Sequence, residues 1–252
     1  MKIDRFGVGA ALVFFTSAAA TIAWCGSMAS MPGMDMPGGW VMSMAWMRMP
    51  GQGWLETAVC FMGMWSLMMV AMMTPVLAPH LSRYRCAVDG ARRNAVTACV
   101  AGGYFAVWLL SGALLFPLGA AFAQLTMLAP EFSAAAPLMG AAVVIGAGVA
   151  QFSTWKVRQL EMCCHAPDRN RAHPPTCSMA CRQGVSLGLR CFYCCAGLTA
   201  VLLVIGVMDL RAMALVTMAI SAERLLPARL LAARVVGLCL IVMGVSMFVA
   251  SN

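Results

Sequence analysis

The feature that most constrains this chain is a series of apolar segments, most of them long enough to cross a membrane. A spanning helix needs about 20 apolar residues. The segments are 6–25, 55–79, 95–119, 134–155, 188–208, 211–226 and 229–250. Only 10% of the 252 residues are charged, whereas a soluble domain carries about 25%. The sequence therefore predicts an all-α, polytopic bundle of about seven transmembrane helices, held in the lipid bilayer of a bacterial inner membrane.

The basic residues predict the orientation of this bundle. Lys2 and Arg5 precede the first segment, and further arginines and lysines gather in the connections 80–94 and 156–187. Because Lys and Arg are enriched in cytoplasmic loops, these positions predict a cytoplasmic N-terminus. The net charge of +8 is spread over separate loops, so it does not indicate a nucleic-acid partner.

Three regions follow from this topology. Residues 1–27 are interpreted as a retained transmembrane anchor, because the apolar run of about 20 residues exceeds the 7–15 of a signal peptide. Residues 28–53 form a Met-rich extracytoplasmic segment. Residues 54–252 form a six-helix metal-binding domain, in which 156–187 is a cytoplasmic loop rich in Cys and His.

The Met-rich segment has an unusual composition for an exposed stretch. Its methionines alternate with Pro, Gly and polar residues, and it contains no His or Cys between residues 28 and 50. The methionines are Met28, Met31, Met34, Met36, Met42, Met44, Met47 and Met49. Thioethers bind soft ions, so the segment is predicted to capture Cu(I) or Ag(I) in preference to Zn(II) or Cu(II). The alternative is lipid contact, supported by Trp residues typical of a membrane interface.

Methionines also crowd the second segment. Met64, Met68 and Met72 recur at four-residue spacing and share one helical face, with Met69 and Met73 on an adjoining stripe. Cys60 is expected to extend the first stripe outward. A ladder of sulfur atoms about 6 Å apart would let Cu(I) step between weak sites. Ordinary packing by methionine is the alternative.

The cysteines form two further candidate sites. Cys191, Cys194 and Cys195 open the fifth segment in a C-x-x-C-C pattern, and two or three thiolates bind Cu(I) strongly. Arg190 beside them would favour the thiolate form. A second set in the cytoplasmic loop contains Cys163, Cys164 and His165, followed by His173, Cys177 and Cys181. The alternative interpretation is a set of small buried thiols.

The remaining charged residues suggest no chemistry of their own. Glu223 and Arg224 end the sixth segment and are expected to form a local structural pair. The sequence contains no nucleophile elbow, phosphate loop, HExxH or dinucleotide motif. An enzyme is therefore not predicted.

Several of these motifs occur together in a known family. From about residue 55 to 250 the chain resembles the DUF2182 family of predicted metal-binding integral membrane proteins. The motifs that carry the resemblance are MGMWSLMMVAMMTP (62–75), GGYFAVW (102–108), Gln151, Lys156, Cys163, the stretch 188–195, the stretch 206–209, Ala222 and Glu223. The resemblance implies a membrane copper-handling protein, in some cases one that helps to load a copper enzyme.

The chain departs from that family pattern at two positions. Gln159 stands where the family has a cysteine, and Leu187 stands where it has a histidine. The main hypothesis is a membrane copper-binding protein that captures, transports or hands over Cu(I), with a copper-dependent membrane or periplasmic enzyme as partner. The alternative is a non-catalytic accessory subunit of a larger membrane enzyme complex.

Overall fold

The protein is described by a computed structural model that covers residues 5–29, 34–36, 39–42, 46–48, 51–88, 92–164 and 176–250. The helices are α1 (Arg5–Ala29), α2 (Trp54–Ala87), α3 (Arg93–Leu128), α4 (Pro130–Ala150), α5 (Thr154–Cys164), α6 (Cys177–Ile205), α7 (Leu210–Leu225) and α8 (Arg229–Ala250). Two short strands, β1 (Met34–Met36) and β2 (Trp40–Met42), connect α1 to α2.

The predicted all-α membrane bundle is confirmed. Within the described ranges, six helices are long and apolar enough to cross a membrane: α1, α2, α3, α4, α6 and α8. The segment predicted at 211–226 corresponds to α7, which has 16 residues. At 1.5 Å per residue it is about 24 Å long, shorter than the roughly 30 Å of a hydrocarbon core.

The centre of the bundle is built by α2, α3 and α6. The most extensive contact is between α3 and α6, while α4 packs mainly against α8 and α1 against α2. Large side chains fill the space between the central helices, including the fully buried Trp65, Tyr104 and Trp108. The indole nitrogen of Trp65 donates to the carbonyl oxygen of Trp108 at 2.9 Å, so α2 and α3 are also joined by a buried hydrogen bond.

Glycines allow α3 and α6 to approach until their backbones touch. A Cβ atom added to Gly103 would collide with the carbonyl oxygen of Cys181, and one added to Gly184 would collide with that of Val100. Small residues at such positions are typical of membrane helix pairs, because van der Waals packing is the main attraction between helices in lipid. The two glycines therefore fix the seam between α3 and α6.

The neighbouring glycines 102 and 103 provide a matched test of this seam. We expect Gly103→Ala to destabilise the fold by about 1–3 kcal/mol, the usual cost of overpacking a core. Gly102→Ala should be neutral or stabilising by up to about 1 kcal/mol, because Ala is the better helix former and nothing lies within 4 Å of its added Cβ. Thermal unfolding in detergent measures both. Equal unfolding temperatures for the two variants would show that α3 and α6 can move apart to accept the added Cβ atom without loss of stability.

The connection predicted at 156–187 is largely helical. It contains most of α5 and the first turns of α6, which begins at Cys177 and not near residue 188. The hydroxyl oxygen of Thr176 accepts from the backbone nitrogen of Met179, so α6 starts at a capped turn. Apolar periodicity marks only the part of a helix inside the membrane, and the polar turns beyond it were therefore missed.

The Met-rich segment includes a hairpin that the sequence did not predict. Met34 pairs with Met42, and Met36 with Trp40. Gly39 closes the turn with a positive φ of 74° and donates its backbone N–H to the carbonyl of Met36. Because alternate residues of a strand share a face, these four side chains lie on the same side of the hairpin.

Candidate metal-binding site

Three sulfur atoms from two helices meet around Cys191 in the centre of the bundle. Cys191 Sγ lies 3.9 Å from Met73 Sδ of α2 and 4.0 Å from Cys195 Sγ one turn along α6. All three side chains are at most 1% exposed. Cys191 and Cys195 share a face because residues four apart lie one above the other on a helix.

Two hydrogen-bond donors point at the thiols from other helices. The hydroxyl of Tyr104 in α3 donates to Cys191 Sγ at 2.9 Å. The guanidinium of Arg224 in α7 approaches Cys195 Sγ at 3.9 Å and the carbonyl oxygen of Cys191 at 3.5 Å. A donor and a positive charge both favour the negative thiolate, which is the form that binds metal.

A buried ion pair supports this arrangement from the side. Lys156 Nζ lies 2.7 Å from Glu223 Oε2 and donates to the carbonyl oxygen of Cys194 at 2.7 Å. Gln151 donates its amide to the other oxygen of Glu223 at 2.9 Å. Burial alone would lower the pKa of Lys156, but Cys194 and Glu223 beside it raise it more, and the net shift is upward. Lys156 is therefore charged at neutral pH.

These contacts also give the depth of the site. Gln151 directly follows α4, Lys156 lies in the first turn of α5, and Arg224 is next to the last residue of α7. The sulfur atoms therefore lie level with the ends of three helices, near the end of the bundle that the arginine distribution predicts to be cytoplasmic.

The sulfur geometry suits one soft ion. Metal–thiolate bonds are about 2.3 Å long, as known for zinc, and three such bonds in a plane place the sulfurs about 4 Å apart. The two S–S distances from Cys191, 3.9 and 4.0 Å, match two sides of that triangle. No group of three His, Cys, Asp or Glu side chains in the described ranges is arranged to hold a metal ion. A site here needs the thioether of Met73, a ligand type that selects Cu(I) over Zn(II).

The predicted methionine stripe leads to this site. Met64, Met68, Met69, Met72 and Met73 are each at most 4% exposed and belong to the main core cluster. Their burial meets the requirement that a sulfur ladder face protein and not lipid. Core packing would produce the same burial, so a role in metal transfer stays a prediction.

The expectation that Cys60 extends the stripe is wrong. Cys60 is exposed, whereas Met64 is 3% exposed. Each four-residue step advances about 400° around a helix of 3.6 residues per turn, so the stripe drifts by about 40° per step. Over the three steps from Met72 back to Cys60 the drift is about 120°, enough to turn the thiol out of the core.

The outer methionines are less exposed than their sequence suggested. Met36 and Met42 are buried against Ala123 of α3, and Met34 is 40% exposed. The indole nitrogen of Trp40 donates to the carbonyl oxygen of Ser133 at 3.0 Å and ties the hairpin to α4. Met28 and Met47 are half-buried. Met31, Met44 and Met49 lie outside the described residues. The prediction of an exposed stretch is thus wrong for Met36 and Met42, because the hairpin turns one apolar face onto the bundle.

The other predicted cysteines have different environments. Cys194 is buried beside the central thiols. Cys163 and Cys164 are the last residues of α5, and the structure does not describe their side chains. His165 and His173 lie outside the described residues. Their prediction as ligands therefore stays untested.

Sequence reasoning missed the groups that contact the thiols. Tyr104 lies in a motif that resembles the family, but its role was not recognised. Arg190 was expected to favour the thiolate, yet it is exposed, and the buried arginine at the thiols is Arg224. Glu223 was expected to pair with Arg224, and the partner that was not foreseen is Lys156, which forms a buried ion pair with its carboxylate. One sequence signal could have found Glu223 and Arg224: charged residues within an apolar segment are energetically costly and usually have a function.

Comparison with known proteins links the chain to copper. A family model described as PpoB2, copper chaperone, matches residues 62–247. The match covers more than half of the chain and includes Met73, Tyr104, Cys191, Cys195 and Arg224. No curated protein and no solved structure matches the chain. The chain, a multi-pass helical bundle with buried cysteines and methionines at its centre, belongs to the PpoB2 copper chaperone family.

Proposed function

We propose that the protein binds Cu(I) through Cys191, Cys195 and Met73 and hands it on to a copper-dependent enzyme in or outside a bacterial inner membrane. The observation that carries the proposal is the pair of S–S distances at Cys191, 3.9 and 4.0 Å, which equal two sides of the triangle that three sulfurs form around one ion. A mixed thiol and thioether set in a water-excluding core suits Cu(I), the softest copper ion.

The residues around the sulfurs have distinct roles in this proposal. Arg224 offsets the negative charge of a bound Cu(I)–dithiolate, and Tyr104 orients the thiolate of Cys191 through its hydrogen bond. Lys156 and Glu223 hold α5 and α7 against α6, so that Arg224 stays beside Cys195. Each role concerns binding and positioning, in keeping with a non-catalytic carrier.

The methionine stripe of α2 provides a route from this site through the bundle. Met73 is a member of the site itself, and Met69, Met68 and Met64 continue from it toward the start of the helix. Thioethers are neutral ligands that bind copper weakly, so an ion can leave one for the next. Of the hairpin methionines, the exposed Met34 would capture the ion first, and the buried Met36 and Met42 would receive it from there.

The test of the proposal is anaerobic titration of purified protein with Cu(I) in competition with a chromophoric chelator. We expect tight binding and an X-ray absorption spectrum with about three sulfur ligands. A spectrum dominated by nitrogen and oxygen ligands, or the absence of bound copper after copper-replete growth, would contradict it and favour the accessory subunit.

The stripe predicts a separate effect on copper movement. Met64, Met68 and Met72 replaced together by Leu should leave the fold intact, because each swap of similar volume costs under about 1.5 kcal/mol. Copper bound at Cys191 should remain, while its transfer to an acceptor slows. The measurement is the rate at which a chelator or a copper enzyme receives the metal.

Met243 and Met247 supply the control for this prediction. They are partly buried thioethers of α8 packed against the same core, and their replacement by Leu removes sulfur outside the proposed route. Equal transfer rates for the two variants and the parent would show that the methionines of α2 serve packing alone.

A further inference from the structure

A second pair of thiols lies where α3 and α6 begin to pack together. Cys99 of α3 and Cys177, the first residue of α6, place their Sγ atoms 2.6 Å apart. Cys181 follows one turn later on α6, and its backbone carbonyl lies against Gly103 of α3. Reasoning from sequence had grouped Cys177 and Cys181 with the cytoplasmic loop and had not connected them to Cys99.

This pair differs from the central site in its access to water. Cys177 and Cys181 are exposed and Cys99 is half-buried, whereas Cys191 and Cys195 are enclosed in the core. An ion at the central site has no direct contact with a soluble donor or acceptor. An ion held at Cys99 and Cys177 could be reached directly by a soluble donor or acceptor, because Cys177 is exposed.

The helix seam keeps the two thiols together. Gly103 lies one turn after Cys99, and a Cβ there would collide with the carbonyl oxygen of Cys181. Gly184 is in the same close contact with Val100. Because both backbones touch, the thiols are held within reach of one ion even before it binds, which lowers the entropy cost of assembling the ligands.

The pair is also aligned with the central site along α6. One face of that helix carries, at alternating spacings of four and three residues, Cys177, Cys181, Gly184, Gly188, Cys191 and Cys195. This spacing keeps side chains on one side of a helix, and the glycines on it contact α3. The 14 residues from Cys177 to Cys191 correspond to about 21 Å along the helix axis.

We propose that Cys99 and Cys177 form a water-exposed dithiolate site for Cu(I). The identity of the ion rests on the proposed function. Binding converts two thiols to thiolates, releases two protons to water, forms two Cu–S bonds and leaves the copper oxidation state unchanged. Bond lengths of about 2.3 Å would place the sulfurs of a linear site about 4.6 Å apart, so the exposed Cys177 side chain must rotate away from the half-buried Cys99 by about 2 Å when the ion binds.

The ligand number argues for copper over zinc at this position. Structural zinc is held by four ligands, whereas in the described part of the chain no three His, Cys, Asp or Glu side chains are arranged around one ion, which leaves the two thiols of Cys99 and Cys177. A Cu(I) ion is satisfied by two thiolates and can be passed to a third. The site therefore fits exchange with a soluble, thiol-bearing copper carrier.

The experiment compares Cu(I) stoichiometry in the full-length protein and three variants under anaerobic conditions. Cys99→Ser with Cys177→Ser should bind one equivalent fewer than the parent and keep the three-sulfur spectrum of the central site. Cys191→Ser with Cys195→Ser should lose that spectrum and keep the exposed equivalent. Cys86→Ser, which removes an exposed thiol of α2, should bind as the parent does.

Residue-resolved alkylation gives a second measurement on the unaltered protein. Cu(I) should protect Cys99 and Cys177 from a water-soluble maleimide and leave Cys86 reactive. The inference is overturned by unchanged stoichiometry in the Cys99/Cys177 variant, by equal reactivity with and without Cu(I), or by a Cys99–Cys177 disulfide in protein purified without oxygen. If only the central-site proposal is wrong, the three-sulfur spectrum is absent but Cys99 and Cys177 are still protected by Cu(I). The two proposals can therefore be refuted independently.

Discussion

Lys156→Met is expected to destabilise the protein by about 3–5 kcal/mol, the usual cost of removing one member of a buried ion pair. The substitution leaves the carboxylate of Glu223 in the core without its positive partner 2.7 Å away. It also removes the donor to the carbonyl oxygen of Cys194. The measurement is the midpoint of thermal unfolding in detergent, together with the yield of folded protein.

Two further variants separate loss of the pair from loss of a lysine. Arg158→Met removes an exposed charge from the same helix and should change stability by under about 0.5 kcal/mol. Lys156→Met combined with Glu223→Gln leaves a neutral amide in the core and should recover part of the loss. If Lys156→Met unfolds at the same temperature as Arg158→Met, the pair contributes nothing and α5 is held by its apolar contacts.

The helices could be predicted from the sequence because each signal is local. A run of about 20 apolar residues is visible without knowledge of neighbours, and the six long helices coincide with six of the predicted segments. Helix ends are less visible. The first turns of α6 are polar, and only the cap at Thr176 indicates that the helix starts at Cys177.

The candidate site could be predicted only in part, because its contacts join distant parts of the chain. The spacing of Cys191 and Cys195 shows that they share a face, and the methionine stripe shows that Met73 lies on a packed helix. Neither pattern predicts that these faces of α2 and α6 contact each other. The approach of Tyr104 and Arg224 to the thiols depends on how α3 and α7 pack against α6, and no local periodicity carries that information.

Local patterns can also mislead when they are extended too far. Four-residue spacing placed Cys60 in line with Met64, although the helix had by then rotated it outward. In the outer segment, the two-residue spacing of Met34 and Met36 was interpreted only as a metal-binding pattern, although the same alternation is what a strand needs to place both side chains on one face. A sequence spacing therefore predicts a shared face only over a few turns of a helix, and only when the type of element is known.

Cys191→Ser is expected to weaken Cu(I) binding at the central site by about 100-fold or more. Changes to groups that only support a metal ligand cost about 10–100-fold, and Cys191 is the sulfur common to both measured S–S distances. Serine is nearly the same size but offers a hard oxygen, which Cu(I) binds poorly. The measurement is competition with a chromophoric chelator, with X-ray absorption reporting the loss of sulfur ligands.

The matched control is Cys239→Ser, which removes an exposed thiol of α8 far along the chain from the site. It should bind copper as the parent does, and both variants should unfold near the parent temperature, so that a loss of affinity is not a loss of fold. A Cys191→Ser protein that keeps parental affinity and sulfur coordination would show that Cys191 is not a ligand. The 3.9 and 4.0 Å contacts would then be packing among buried sulfurs, and the copper carried by this family would have to bind this chain elsewhere.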